Sequence, residues 1–261
     1  MASTLDKQDG WWESVKTIFW ALVIAGVFRT LFFQPFWIPS GSMKDTLLIG
    51  DFLFVNKMAY GYSRYSCPFS ICPITGRLLG SEPERGDVVV FRHTGTGDDF
   101  IKRLIGLPGD RVQMIDGQLH LNGEPVPTAP AGTFNEVYER QGAQRNHPRC
   151  ANSPVGEGGI CIKERFRETL PGGREHDILN TGDGFADNTA VFTVPEGQYF
   201  FMGDNRDNST DSRFDRAIGG VGFVPAEYLI GRADRVMFSS AGRSLFYFWT
   251  WRADRFFKAV E

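Results

Sequence analysis

The sequence predicts a mainly β fold: an antiparallel-sheet core, an inserted and partly irregular β-rich second domain, and one N-terminal transmembrane helix. The 261 residues include 30 glycines and 14 prolines, which is typical of a chain with many turns and unusual in a helical bundle. Short apolar runs follow an apolar N-terminal segment. The aromatic share of 14% excludes disorder, and the net charge of -3 argues against a nucleic-acid partner.

The transmembrane helix is predicted over residues 11–33, where only Glu13, Lys16 and Arg29 are charged. A helix of this length measures ~35 Å and crosses a hydrocarbon core of about 30 Å. A cleaved signal peptide would need an Ala-x-Ala site, which the following RTLFFQPFWIP lacks. A buried helix of the soluble body is the other alternative. Basic residues on the two sides nearly balance, so charge leaves the orientation open.

The core strands are predicted from short apolar runs that end at turn residues. They comprise 51–61, 86–91, 100–110, the two arms of 111–126, and a strand pair in 190–205. Residues 86–91 are strongly β-branched, and Asp116-Gly117 is a favoured two-residue hairpin turn. These runs predict antiparallel pairing.

Residues 127–189 differ from the rest, because they are rich in Gly, Asn, Arg and Glu and hold few long apolar runs. We expect a partly irregular insertion there. The cysteines are Cys67, Cys72, Cys150 and Cys161, and their spacings fit no common zinc pattern. Two disulfides and free buried thiols both remain open.

The C-terminal stretch 244–260 is strongly aromatic. Its clustered rings belong to Phe246, Tyr247, Phe248, Trp249 and Trp251. One interpretation is a terminal element packed on the core, and the other is a patch that rests on the membrane interface.

Common catalytic and metal-binding motifs are missing from the sequence. The four histidines are scattered, and no H-E-x-x-H, G-x-S-x-G or S-x-x-K occurs. The Asp204–Asp211 run resembles a calcium loop, but Arg206 takes a ligand position and the sixth-position glycine is missing. Metal and histidine-based chemistry are therefore not indicated.

A serine remains as the candidate nucleophile. Ser42 lies in PSGSMKDTLLIGD (39–51), where Gly41 allows a tight bend with exposed hydroxyls close behind the anchor. A loop that merely caps the next strand is the alternative. A serine needs a base, and without a suitable histidine a neutral lysine is the obvious one.

Lys102 is the candidate base. Strand alternation places it with Phe100 and Leu104 on one apolar face, where burial would lower its pKa. Lys57 is the rival, and a rim lysine with its ammonium in water is the structural alternative. The polar run 203–214 follows the apolar QYFFM, so its side chains are expected to hydrogen-bond the lysine or each other.

Several segments together carry a resemblance to a known family. They are PSGSM (39–43), RGDVVVF (85–91), FIKRLIGLPGDRV (100–112), GQYFFMGDNRDNSTDSR (197–213) and GFVP (222–225). In order and spacing they resemble the bacterial type I signal peptidases, also called leader peptidases. The resemblance covers residues 15–113 and 190–235 and leaves the region between them, a variable second domain in that family, poorly matched.

The resemblance implies a membrane-bound serine endopeptidase that removes signal peptides from exported preproteins and cuts after small residues, Ala-x-Ala. It makes Ser42 the nucleophile and Lys102 the general base. Ser40 would donate to the oxyanion hole beside the Ser42 N–H, and Ser209 would orient the lysine amine.

The resemblance also implies supporting residues. Asp211 and Arg213 would form a structural ion pair near the site. The residues expected to line shallow pockets for small substrate side chains are Ile38, Met43, Val90 and Ile101. Two departures are Asp45, where the family usually has proline, and Phe100, where tyrosine is common.

The same resemblance implies a single-pass protein of the bacterial inner membrane, with its catalytic domain on the periplasmic side. Residues 1–33 would be the cytoplasmic N-terminus and anchor, 34–113 and 194–261 the two parts of the catalytic core, and 114–193 the inserted variable domain. Expected partners are signal-peptide-bearing preproteins, the lipid bilayer and the secretion translocon, with no nucleic acid. Neither a cofactor nor a metal is implied. A related Ser/Lys peptidase and a membrane-tethered binding module are the competing hypotheses.

Overall fold

The computed structural model describes residues 6–67, 70, 72–242 and 247–260. In this part of the chain an N-terminal helix, α1 (Asp6–Leu31), leads into strands joined by turns and short 3-10 helices. The strands are β1 (Phe33–Trp37), β2 (Asp51–Asn56), β3 (Val88–Arg92), β4 (Asp99–Gly106), β5 (Arg111–Ile115), β6 (Gln118–Leu121), β7 (Glu124–Pro125), β8 (Thr128–Val137), β9 (Ile160–Thr169), β10 (Glu175–Asn180), β11 (Phe192–Thr193), β12 (Gln198–Met202), β13 (Val224–Pro225), β14 (Leu229–Ser239) and β15 (Lys258–Ala259). The predicted mainly β class is confirmed.

The largest sheet has the order β1-β2-β14-β3-β4-β12-β13, with β15 added to β14, and its pairs are antiparallel. Its strands come from both ends of the chain, because β14 lies between β2 and β3. This sheet carries the candidate site residues on β4 and on the segment between β1 and β2.

The centre of the large sheet is covered on both faces. Val88 and Val90 of β3 belong to one apolar cluster, whereas Val89 and Phe91 belong to another. Successive strand residues point to opposite faces, so β3 must be buried on both sides. This explains why its sequence is a continuous apolar run rather than an alternating one.

Two smaller sheets follow β4. One has the order β11-β5-β6-β7, and the other has the order β10-β9-β8. The predicted hairpin is confirmed: Ile115 pairs with Gln118, and Asp116 and Gly117 have φ of 47° and 76°. Positive φ at both central residues is the geometry that an Asp-Gly turn favours.

One expectation needs correction. Residues 190–205 do not form a strand pair with each other, because β11 pairs with β5 while β12 pairs with β4 and β13. Residues 127–189 hold β8, β9 and β10 together with irregular loops, as expected. Strands β9 and β10 bury the charged or titratable Lys163, Glu168 and His176, so the apolar periodicity that would reveal a strand is weak.

The helix α1 contains the segment Gly10–Leu31, which is long and apolar enough to cross a membrane, with a mean hydropathy of 1.5. None of this segment is buried against the rest of the chain. A helix that is apolar all round suits a lipid environment. Residues 1–5 of the predicted N-terminal part lie outside the described residues.

The cysteines form the disulfides Cys67–Cys72 and Cys150–Cys161, so the free-thiol alternative is wrong. The C-terminal aromatic stretch is partly packed, since β15 pairs with β14 and Trp251 contacts Phe238 at 4.8 Å between ring centroids. Tyr247, Phe248 and Trp249 are exposed, and Phe246 lies outside the described residues.

Candidate active site

The serine turn, residues 39–45, links β1 to β2 at one end of the large sheet. Where β1 ends and β2 begins, backbone hydrogen bonds close the segment that contains this turn, from the Ile38 N–H to the Asp51 carbonyl at 2.9 Å and from the Gly50 N–H to the Ile38 carbonyl at 3.0 Å. Asn205 braces the middle: its backbone N–H donates to the Ser42 carbonyl and its side chain donates to the Gly41 carbonyl. Asn205 was not among the predicted site residues, and its only signal was its place in the polar run 203–214.

Lys102 reaches this turn from β4. Its Nζ lies 2.7 Å from Ser42 Oγ and 3.0 Å from the Ile101 carbonyl oxygen. Lys102 is only 4% exposed and Ser42 only 8%. The two residues that the sequence singled out, which are separated by a long stretch of chain, therefore meet in a buried hydrogen bond.

Burial lowers the pKa of the Lys102 amine. Desolvation lowers the pKa of Lys102 to about 8, against the attraction of the Asp211 and Asp204 carboxylates. Burial also lowers the pKa of Lys57 to about 8, but its amine donates to the Ser66 carbonyl at 2.5 Å. Both lysines are easily deprotonated, so hydrogen-bond geometry rather than pKa distinguishes Lys102 as the partner of Ser42.

The predicted oxyanion-hole donor, Ser40, lies beside the predicted nucleophile, Ser42. Ser40 is exposed, and its Oγ is 3.5 Å from Ser42 Oγ. The buried Ser209 is also close to the site, next to Gly203. In the described part of the chain, however, the Lys102 amine donates to Ser42 and Ile101 and not to Ser209. The orienting role of Ser209 stays a prediction.

The Asp211–Arg213 pair shapes the loop behind the lysine. Arg213 Nε and Nη2 each lie 2.9 Å from an Asp211 oxygen, and Asp211 also accepts from the Gly203 N–H at 3.0 Å. Burial alone would raise the pKa of Asp211, but Arg213 outweighs burial and holds that pKa below its usual range. Asp211 is thus a buried carboxylate that stays ionised.

A second buried ion pair lies on the opposite face of β4 and was not predicted. Arg103 contacts both carboxylate oxygens of Asp204 at 2.8 Å, and Thr46 donates to the same carboxylate at 2.5 Å. The pair connects β4, the loop after β12 and the end of the serine turn. Its signal in the sequence was Arg103 itself, a second charged residue beside Lys102 among the apolar residues of β4.

A cleft of about 510 Å³ opens beside Ser42 and Lys102. Its lining residues are Pro39, Ser40, Gly41, Ser42, Lys44, Ile49, Phe100, Lys102, Gln141, Ala143, Gln144, Asn146, His147, Pro148, Arg149, Asp207, Asn208, Ser209, Thr210 and Phe214. One wall is the segment 141–149 between β8 and β9. That wall touches the serine turn, since the Ala143 N–H donates to the Pro39 carbonyl at 3.3 Å. No sequence pattern indicated it.

The residues predicted for substrate pockets lie elsewhere. Ile38, Met43 and Val90 are buried in an apolar cluster of the large sheet, and Ile101 packs at its edge. None of the four lines the cleft described above. Val90 and Ile101 are strand residues, whereas Ile38 and Met43 belong to the segment between β1 and β2. Substrate contact by these four residues stays a prediction.

Among the described residues, no group of three or more His, Cys, Asp or Glu side chains is arranged to hold a metal ion.

The chain is similar to known proteins over most of its length. The family model described as "Signal peptidase, peptidase S26" matches residues 11–238. Signal peptidase I of Rickettsia typhi is 42% identical over 229 residues, covering 84% of this chain and 77% of the relative. Signal peptidase I of Rickettsia akari is 40% identical over 244 residues, covering 90% and 80%.

A solved signal peptidase I from Enterococcus faecalis V583 is 29% identical, with a TM-score of 0.30, and covers 58% of this chain and 97% of that one. The family match spans far more than half of the chain and includes both the serine turn and β4. The chain therefore belongs to the signal peptidase family, peptidase S26, and is a serine peptidase.

Proposed function

We propose that this enzyme removes signal peptides from exported preproteins with a catalytic dyad of Ser42 and Lys102. The observation that carries the proposal is the hydrogen bond of 2.7 Å between Lys102 Nζ and Ser42 Oγ in a buried site. Family membership supports the reaction class, and the hydrogen bond supports the assignment of the two roles.

The chemistry follows from the geometry. Neutral Lys102 accepts the Ser42 proton while Ser42 Oγ bonds to the scissile carbonyl carbon. The Ser42 N–H and the Ser40 hydroxyl stabilise the resulting oxyanion. The Lys102 ammonium then donates its proton to the leaving amine of the substrate. Lys102, neutral again, next activates the water that hydrolyses the acyl-enzyme.

Cleavage after Ala-x-Ala is part of the proposal. This part rests on family membership, because Ile38, Met43 and Val90 are buried in the core and do not line the cleft beside Ser42. Selection of alanine would then rest on steric exclusion, because one methyl group contributes only about 1 kcal/mol.

The membrane placement is also proposed. The apolar helix α1 ends at Leu31, a short distance along the chain from Ser42. An enzyme anchored in this way meets a membrane-held cut site without a three-dimensional search. We propose a single span in the bacterial inner membrane, with the catalytic part on the periplasmic side near the secretion translocon.

The test uses the purified full chain in detergent and an exported preprotein with an Ala-x-Ala site. Ser42→Ala and Lys102→Ala should each abolish cleavage, whereas Lys57→Ala should retain it. Replacing either alanine of the substrate by leucine should prevent cleavage, and a metal chelator should change nothing. Full activity of Lys102→Ala would refute the dyad, and cleavage by Ser42→Ala would refute the proposed nucleophile.

A further inference from the structure

The inserted part of the chain is tied to the serine turn by charged and polar contacts. Lys44 forms an ion pair with Glu136 of β8 and donates to Gln141 at 2.7 Å. Next along the turn, Asp45 pairs with Arg165 of β9 at 2.7 Å. The residue that replaces the usual proline thus also contacts the insertion. These contacts involve the second and third residues after Ser42.

Glu136 is the centre of this connection. Its carboxylate lies between two lysines, pairing with Lys44 through Oε2 and with Lys163 through Oε1 at 2.9 Å. The side chains of Lys44 and Lys163 are 6% and 0% exposed. Two nearly buried ammonium groups therefore depend on one carboxylate, and breaking such a pair leaves a charge uncompensated.

The electrostatics agree with a strong interaction. Burial alone would raise the pKa of Glu136, but the two lysines outweigh burial and hold that pKa below its usual range. Burial lowers the pKa of Lys44, and Glu136 opposes that effect. The carboxylate is thus ionised at neutral pH and holds Lys44 by its charge.

Lys44 in turn supports the backbone next to the nucleophile. A Cβ atom added to Gly41 would lie 3.2 Å from Lys44 Cε, so the lysine side chain packs directly against Gly41. The Lys44 N–H also donates to the Gly41 carbonyl at 3.2 Å. A shift of Lys44 would therefore move the backbone that carries Ser42.

We propose that Glu136 is a positioning residue, through which the inserted part of the chain holds Lys44 and keeps Ser42 opposite Lys102. The proposal rests on the Ser42/Lys102 dyad proposed above. Glu136 itself does not line the cleft, whereas Lys44 and Gln141, which it contacts, do. The test therefore measures kcat and KM separately, and the positioning role predicts that the loss falls on kcat.

The decisive variant is Glu136→Gln, which preserves the shape of the side chain and removes its charge. In the full-length enzyme in detergent, with an Ala-x-Ala peptide as substrate, kcat per active site should fall about 10- to 100-fold, as expected for small misplacement of a reacting group. KM should stay within about threefold. The number of active sites is measured from the burst of the first cleavage product. A merely structural role of Glu136 would lower the number of active sites and leave kcat per site unchanged.

A double-mutant cycle tests the route through Lys44. Lys44→Met should lower kcat per site as Glu136→Gln does, and the double variant should be no slower than the slower single variant, since both disrupt one connection. Should Glu136→Gln fail to fold, Lys44→Met decides the question alone.

The matched control is Glu84→Gln. The Glu84 carboxylate pairs with Arg174 at 3.3 Å and is largely exposed, so kcat of this variant should stay within about twofold of the wild type.

The possible outcomes are distinct. Wild-type kcat per site in Glu136→Gln or in Lys44→Met, or independent and multiplicative losses in the double variant, would overturn the positioning role. A wild-type chain without cleavage, or an active Ser42→Ala, would instead refute the dyad on which that role rests.

Discussion

At the scale of single residues, the proposed function depends on an amine that is buried and hydrogen-bonded to no carboxylate among the described residues. Lys102 has Ser42 Oγ and a backbone carbonyl as hydrogen-bond acceptors, and neither carries a full charge. The nearby carboxylates of Asp211 and Asp204 are instead engaged by Arg213 and Arg103. This arrangement keeps the pKa of Lys102 near 8 rather than restoring it to the usual value.

The pH dependence of cleavage follows from this pKa. In the proposed mechanism the active form of Lys102 is neutral, so kcat/KM should rise as pH passes through about 8 and then level off. The measurement is a pH–rate profile of the full chain in detergent. Lys57→Ala should leave the midpoint unchanged, and a rate that falls as pH rises from 6 to 9 would contradict the role of Lys102 as base.

The burial of Lys102 should also lower the stability of the folded protein. The pKa of Lys102 falls from 10.5 in the unfolded chain to about 8 in the fold, so below pH 8 the folded state holds a proton at a cost of about 3 kcal/mol. Lys102→Met should therefore unfold at higher denaturant concentration at pH 7. The gain should shrink as pH rises from 8 towards 10.5; no gain at pH 7 would contradict the prediction.

Breaking the Asp211–Arg213 ion pair behind Lys102 should destabilise the folded protein strongly. Arg213→Met leaves the fully buried Asp211 without its guanidinium, and such a change destabilises by about 3–5 kcal/mol. Chemical unfolding of the two proteins measures the difference. Arg167→Met is the control, because its pair with Asp177 is exposed and should contribute less than about 1 kcal/mol.

At the scale of elements, the site depends on a close approach between the loop after β12 and the serine turn. A Cβ atom on Gly203 would lie 2.3 Å from Ser209 Oγ and 2.5 Å from the Ser42 carbonyl oxygen. Only glycine fits between these two segments without moving one of them. The loop and the turn therefore behave as one unit around Lys102.

Gly203→Ala should accordingly destabilise the protein by about 1–3 kcal/mol and lower kcat/KM at least tenfold. Thermal unfolding and peptide cleavage measure the two effects. Gly156→Ala is the matched control, since a Cβ there meets nothing within 4 Å, and it should resemble the wild type. Equal activity of the two variants would show that the loop and the turn move independently.

At the scale of the whole molecule, the anchor and the catalytic body are nearly separate. The apolar segment of α1 is unburied, and it joins the body through β1 at the edge of the large sheet. The exposed rings of Phe248 and Trp249 lie at the other end of the chain. The packing of the body therefore does not depend on the anchor.

A chain that begins at Phe32 should therefore fold and cleave a short Ala-x-Ala peptide in detergent with kcat within about threefold of the full chain. Cleavage of a preprotein held in vesicles should fall by at least tenfold, because the effective concentration supplied by the anchor is lost. Parallel assays of peptide and preprotein distinguish these effects. Equal losses of cleavage activity on the peptide and on the preprotein would contradict the prediction that the anchor only places the enzyme at the membrane.

Much of the fold was predictable because its signals are local. Residues 86–91 are a β-branched run, Asp116-Gly117 has the turn chemistry of a hairpin, and residues 11–33 are an apolar run of membrane length. The strands β8 to β10 were harder to recognise, since buried Lys163 and Glu168 replace apolar residues there. Their polar partners lie far away in the chain, and local patterns do not reveal them.

The sequence by itself determined the chemical candidates, since a serine on a glycine turn and a lysine on an apolar strand are properties of neighbouring residues. Only the tertiary structure decided that Lys102 and not Lys57 contacts Ser42, because both lysines are buried with similar pKa values. Only the tertiary structure, too, placed Asn205, Gly203 and Glu136 around the serine turn. These contacts join segments that are distant in the chain, and hydrogen bonds or ion pairs of this kind exist only once the sheets have brought the segments together.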